Sequence, residues 1–172
     1  SQTRLFLQLC PAPILGITGT KGKGTTTSIL HSLLATDAAR VFSGGNIGRP
    51  PIAFLDELRS DDRVVLELSS FQLQDLDLSP DIALVLSITE DHLDYHTDRT
   101  EYITAKRPIC SHQKASDILI VNQDCPTARS FAAHSPAAIW HYSAAAPVAQ
   151  GAWVDNNKLW AHRPSEEATV IC

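Results

Sequence analysis

Apolar runs of five to seven residues recur along the chain, separated by stretches whose apolar residues fall three and four apart. The runs "PILGIT" (13–18), "RVFSG" (40–44), "RVVLEL" (63–68), "IALVLSI" (82–88), "DILIVN" (117–122) and "AAIWHYS" (137–143) predict strands. Their near-continuous apolar character suits a parallel sheet covered on both faces. The intervening "TTSILHSLLATDAAR", "PPIAFLDELR", "SSFQLQDL", "TEYITAKRPICSHQ" and "CPTARSFAAH" have the spacing of covering helices. The class is α/β.

The tail departs from this pattern. "GAWVDNNKLWAH" (151–162) holds two alternating runs joined at Asn156 and Asn157, residues that tolerate the positive φ of a tight hairpin turn. With "ATVIC" (168–172) it predicts a small antiparallel sheet appended to the main one, a β subregion over 144–172. No internal repeat or long linker divides the chain, so residues 1–172 read as one domain.

Composition narrows the function. At 172 residues, with 44% hydrophobic and 19% charged, the chain can bury a core without disulfides or a structural metal. A net charge of -5 argues against a general nucleic-acid or anionic-membrane surface, so any anion site must be local. The apolar runs are too short to span a bilayer. No secretory leader is visible, and Met is absent even at position 1, which we read as a segment cut from a longer protein. Cys10, Cys110, Cys125 and Cys172 form no CxxC pair, as expected of reduced cysteines in a cytoplasmic protein.

The loop after the first strand, "GITGTKGKGTTTSIL" (16–30), carries the strongest chemical signal. In open α/β sheets ligands sit beyond the carboxyl ends of the strands. The candidate nucleotide contacts are Gly19, Thr20, Lys21, Gly22, Lys23, Gly24, Thr25 and Thr26. Gly22 and Gly24 let the backbone approach phosphate oxygens, helix-start amides face the anion, and Lys23 adds charge. Thr25 or Thr26 offers a hydroxyl to Mg²⁺, and Lys21 reads as a solvent-exposed neighbour. The strict G-x-x-x-x-G-K-[ST] pattern is not met, because Ile17 and Gly24 occupy two of its positions. The fold expected is therefore a three-layer P-loop-type parallel sheet flanked by helices, with the small C-terminal antiparallel sheet.

A nucleoside triphosphate brings Mg²⁺, which takes oxygen ligands from one or two carboxylates. Glu67 closes an apolar strand, where an acid is costly unless something positive faces it. "TEDHLDYH" (89–96) follows the fourth strand and gathers Glu90, Asp91, His92, Asp94 and His96. His92 and His96 are four apart like a zinc pair, but Leu93 stands where H-E-x-x-H has its acid, so zinc is disfavoured.

Taken in order, "GTKGKGTTT", "GGNIG" (44–48), "ELSSFQL" (67–73), "DHLDYH" (91–96) and "EYITAKR" (101–107) resemble the central ATP-binding domain of the Mur ligases. "GGNIG" and "ELSSFQL" look most like the member that joins D-glutamate to UDP-N-acetylmuramoyl-L-alanine in peptidoglycan precursor synthesis. The resemblance implies a three-domain enzyme in which this segment holds ATP and the missing N- and C-terminal domains bring the two substrates. It further implies an acyl-phosphate intermediate, with Lys23 on the β- and γ-phosphates and Glu67 on the first Mg²⁺. His92 would then hold a second Mg²⁺, with Asn46 and Ser69 on the substrate side. Lys106 matches a family lysine carbamylated by CO₂ into an anionic metal ligand, a change that requires the neutral amine and hence partial desolvation. Pro108 disfavours helical geometry at Arg107, so the helix carrying Lys106 is expected to kink or end early.

Two alternatives stay open: another Mur or folylpolyglutamate-type ligase, and a nucleotide-binding module without chemistry. The isolated segment is expected not to ligate in either case.

Overall fold

The computed structural model describes residues 1–36, 40–46, 48–89 and 98–171. An amphipathic helix α1 (Gln2–Leu9) precedes β1 (Ile14–Thr18), α2 (Lys23–Leu34), β2 (Val41–Gly45) and β3 (Arg63–Glu67). Then come α3 (Ser70–Leu73), β4 (Ile82–Val85), α4 (Arg99–Lys106), β5 (Ile118–Asn122), α5 (Pro126–Arg129) and β6 (Ala138–Ser143). β7 (Gly151–Asp155), β8 (Lys158–His162) and β9 (Thr169–Val170) close the chain.

Among the described residues these nine strands form one sheet in the order β2-β3-β1-β4-β5-β6-β7-β8-β9. Pairing is parallel from β2 through β7 and antiparallel from β7 to β9. The antiparallel strands expected at the tail are present, and they continue the main sheet. β7 reaches β6 without a helical crossover because it pairs only with the last three residues of that strand, His141 to Ser143. Asn156 and Asn157 take φ of 50° and 58°, as the hairpin requires.

Handedness distributes the helices. The connection from β1 to β2 runs leftward in the strand order, whereas those from β2 to β3 and onward to β6 run rightward. Right-handed crossovers must then place α2 on one face and the remaining connections on the other. The core bears this out. Ile14, Val64, Leu66, Ala83, Val85, Leu119 and Val121 pack in one cluster with Phe6 of α1, Phe54, Leu73 of α3, Tyr102 of α4, Ile109 and Phe131. Ile17 and Val65, buried on the opposite face, lie outside that cluster and under α2.

Three of the predicted helices are shorter than their apolar spacing suggested. Residues Pro51–Glu57 wind as a 3-10 helix behind paired prolines. "SSFQLQDL" gives one turn, Ser70–Leu73, and "CPTARSFAAH" gives Pro126–Arg129 followed by a 3-10 helix over Ser130–His134. α4 ends at Lys106 and passes into a 3-10 turn over Arg107–Ile109, the early end that Pro108 predicts. α1 carries no counterpart in the sequence reading, although Phe6 is fully buried.

Candidate functional site

The carboxyl ends of β1, β2 and β3 meet the start of α2. Gly22 caps that helix with φ +83°, a left-handed conformation that glycine adopts without a Cβ penalty, and among the described residues no side chain caps the first-turn amides. Those amides and the helix dipole form an anion-facing terminus with no acid in the first turn. Lys23 Nζ donates to the carbonyls of Gly19 at 3.1 Å and Thr20 at 2.9 Å, which folds its ammonium over the loop. Its partners are backbone oxygens, so its charge has no carboxylate counterpart among the described residues.

Thr20 holds the loop in place. Its hydroxyl donates to Thr89 O, accepts from Thr89 N, and lies 3.3 Å from the Tyr102 hydroxyl. Lys21 is exposed, as expected, and Gly24, Thr25 and Thr26 form the first turn of α2 with Thr25 open to solvent.

Glu67 ends β3 at 4% exposure. Its Oε1 accepts from Asn46 Nδ2 at 3.1 Å, while its Oε2 is buried with no hydrogen-bond partner among the described residues. Gly45 makes the pairing possible: at φ +114° a Cβ would stand 2.1 Å from Glu67 O, and the next amide, Asn46 N, bonds that same carbonyl at 2.9 Å.

Lys106 arrives from α4. It is 1% exposed, its Nζ donates to Thr18 Oγ1 at 3.4 Å, and the ammonium sits 4.6 Å from the centroid of the Tyr102 ring. Thr18 Oγ1 in turn donates to Leu68 O, beside Glu67. Lys23, Asn46, Ser69 and Lys106 line one cavity of about 110 Å³ together with Phe71 and Tyr102. Tyr102 escaped the sequence reading; its signal is a position one helical turn before Lys106.

Ser69 is committed locally. It caps α3 in a capping box, its hydroxyl meeting both Gln72 N and Gln72 Oε1, so the S-x-x-Q spacing of "SSFQ" has a folding role as well as a place in the cavity wall. His92 lies outside the described residues. Among those described, no three His, Cys, Asp or Glu side chains group to hold a metal. Roomier cavities lie elsewhere. One of about 410 Å³ lies at the amino ends of β1 and β4, the wrong end for a ligand of an open α/β sheet.

The residues present fit a hard cation at Glu67. An unpartnered carboxylate oxygen in a buried setting is costly unless a positive group meets it, and oxygen is the donor that Mg²⁺ takes. The loop and α2 fit phosphates for the reasons given above. No helix among the described residues is long and apolar enough to cross a membrane.

Comparison with known proteins assigns the family. The family model for the Mur ligase middle domain matches residues 17–170. The UDP-N-acetylmuramoylalanine--D-glutamate ligase of Clostridium botulinum (strain 657 / Type Ba4) is 39% identical over 159 residues, 92% of this chain and 35% of the relative. That of Clostridium novyi (strain NT) is 37% identical over the same share. The chain thus spans about a third of the length of these relatives. Among solved structures, MurF from Acinetobacter baumannii superposes with a TM-score of 0.71 at 20% identity, over 99% of this chain and 40% of that one. E. coli FolC in complex with DHPP and ADP superposes at 0.63 and 20% identity, over 95% and 50%. These two likenesses concern the fold. With the family model covering nearly the whole chain, the protein belongs to the Mur ligase middle domain family.

Proposed function

We propose that this chain is the ATP-binding middle segment of a three-domain ligase that joins D-glutamate to UDP-N-acetylmuramoyl-L-alanine. The observation that carries the reading is the gathering of Lys23, Asn46, Ser69 and Lys106 around one cavity, with Asn46 bonded to Glu67, whose other carboxylate oxygen is buried and unpartnered among the described residues. The names of the relatives support the choice of substrates. A folylpolyglutamate-type or other Mur substrate, or a module without chemistry, is an outcome the test below separates.

In this reading a precursor carboxylate oxygen bonds to the γ-phosphorus of ATP as the bond to the bridging oxygen breaks and ADP leaves. The neutral amine of D-glutamate then attacks the carbonyl of the acyl phosphate; phosphate departs and the amine gives up a proton. The protein's part is positioning and charge neutralisation. The amides at the start of α2 and the Lys23 ammonium face the β- and γ-phosphates. Glu67 and Thr25 hold Mg²⁺, which supplies charge neutralisation at the phosphates when bound. Asn46 fixes the Glu67 carboxylate, and Lys106, as a carbamate, adds an anionic oxygen. The assignment of His92 to a second Mg²⁺ rests on its "DHLDYH" motif.

The test is ATP-dependent phosphate release by the full-length parent with UDP-N-acetylmuramoyl-L-alanine and a panel of amino acids. Strict use of D-glutamate is expected. Preference for L-lysine, diaminopimelate or L-glutamate refutes the substrate assignment, and absence of amide formation with every acceptor refutes the ligase.

A further inference from the structure

Thr18 closes β1 and is 0% exposed. Strand alternation puts Ile14, Gly16 and Thr18 on the face that carries α4, opposite Ile17. Gly16 shows how closely that face is packed: an added Cβ would stand 2.5 Å from Pro80 Cγ and 3.1 Å from Ile109 Cδ1. The chain leaving α4 therefore lies against β1 and brings Lys106 to Thr18 across 88 residues of sequence. The Thr18 hydroxyl has one proton, and it goes to Leu68 O at 2.9 Å. Toward Lys106 Nζ, 3.4 Å away, that oxygen can only accept.

We propose that Thr18 is the positioning residue of Lys106, an acceptor that holds one N–H of the Nζ amine and leaves its lone pair free to take up CO₂; the inference rests on the reading of Lys106 as a carbamate given above.

The committed proton carries the argument. A carbamate forms when the lone pair of a neutral amine attacks the carbon of CO₂; one C–O π pair moves to oxygen, and the nitrogen gives a proton to water. The product keeps a single N–H and gains a carboxylate. A hydroxyl with an uncommitted proton can donate it to the amine lone pair and tie up the nucleophile. Thr18 does not, because Leu68 O holds that proton. The same oxygen accepts an N–H from the amine and from the carbamate alike, so the bond survives the reaction. In the trigonal product, a nitrogen whose N–H faces Thr18 turns its carboxylate away from β1. Lys106 lines the cavity of about 110 Å³ with Lys23, Asn46 and Ser69, and the Tyr102 ring centroid, 4.6 Å from Nζ, limits the swing of the amine. Leu68 directly follows Glu67, so one hydroxyl ties the amine to the strand end that carries the acid.

The test compares Thr18→Val and Thr18→Ser in the full-length parent equilibrated with ¹³C-bicarbonate. The carbamate carbon is read by ¹³C NMR as the signal that Lys106→Arg abolishes, and phosphate release is titrated with bicarbonate. Thr18→Val should raise the bicarbonate concentration for half-maximal rate by about 10-fold or more and shrink the carbon signal at a given bicarbonate level. Thr18→Ser, which keeps the hydroxyl, should restore both. Thr18→Cys, a weak donor and weak acceptor, replaces the valine variant if that one does not fold, and should show the same shift. A lowered thermal midpoint with unchanged bicarbonate dependence marks a purely structural threonine and overturns the proposal, as does a serine variant no better than valine. A parent with no Lys106-dependent carbon signal sinks the carbamate itself, whereas a parent signal that valine leaves intact sinks only the role of Thr18.

Discussion

Asn46 Nδ2 donates to Glu67 Oε1 over 3.1 Å and fixes that oxygen, while the other, Oε2, is buried and unpartnered among the described residues. A side chain that orients a metal-binding carboxylate typically shifts metal affinity by about 10–100-fold when removed. Asn46→Ala in the full-length parent should therefore raise the Mg²⁺ concentration for half-maximal phosphate release by roughly that factor. Glu67→Gln should lower kcat/KM by about 10²-fold or more, with an unchanged thermal midpoint or a raised one, since it removes an uncompensated buried charge. An Asn46 variant with unaltered Mg²⁺ dependence would detach the pair from the metal.

Lys23 supplies a charge-assisted contact of about 1.5–3 kcal/mol to a bound phosphate, so Lys23→Ala should weaken ADP binding roughly 10- to 100-fold. Calorimetric titration of ADP with Mg²⁺ into the parent measures this directly. An unchanged dissociation constant removes the role assigned to the ammonium.

Lys106→Arg keeps a positive charge at a 1%-exposed position but cannot form a carbamate. The variant should lose at least about 10²-fold in phosphate release, the scale of a lost electrostatic group at a reacting centre. In the unsubstituted parent, stripping CO₂ from the buffer should slow the reaction and bicarbonate should restore it. A rate indifferent to CO₂ argues for an ammonium in that position.

Gly45→Ala tests the approach of β2 to β3. The new Cβ would fall 2.1 Å from Glu67 O at φ +114°, and the strained backbone alone costs about 1–3 kcal/mol. The thermal midpoint should fall by about 5 °C or more, and the Mg²⁺ dependence should shift with it because Asn46 moves too. Gly48, at φ +74° with nothing within 4 Å of an added Cβ, should show the milder effect of backbone strain without a clash.

Ser143 Oγ and the amide of Ala144 donate to Asp124 at 2.6 and 2.7 Å, the hydroxyl contributing most, and they hold its carboxyl below the usual carboxylate range. A depressed folded value means that the stabilisation is present above the unfolded carboxylate pKa of about 3.9 and is lost as pH falls through the folded one. Thermal melts of Asp124→Asn against the parent should differ at neutral pH and converge in acid. A difference that grows on acidification would reverse the sign.

How much of this was legible in the sequence depends on how local the cause was. "PILGIT" and "RVVLEL" announced strands because their burial on both faces shows as unbroken apolar runs, and Asn156 with Asn157 announced a turn because few other residues accept positive φ. Glu67 and Lys23 were found as chemistry out of place: an acid closing a greasy strand, a lysine among glycines. Helix lengths were less legible, since spacing cannot register where Pro51 or Pro108 changes the winding. Tyr102 and Thr18 were invisible because their importance lies in what they touch across 82 and 88 residues of chain.

The early end of α4 bears on the thermodynamics of Lys106. Because the helix stops there, the lysine stands at the electronegative pole of the peptide array, where a positive charge is better placed than a negative one. Were Lys106 to carry the proposed carbamate, its negative charge would meet that pole unfavourably, and a bound cation would offset it. Under the proposed function, occupancy of the metal and uptake of CO₂ would then be reciprocally linked, each raising the affinity for the other by the same factor, so that the nucleotide site would assemble as a unit.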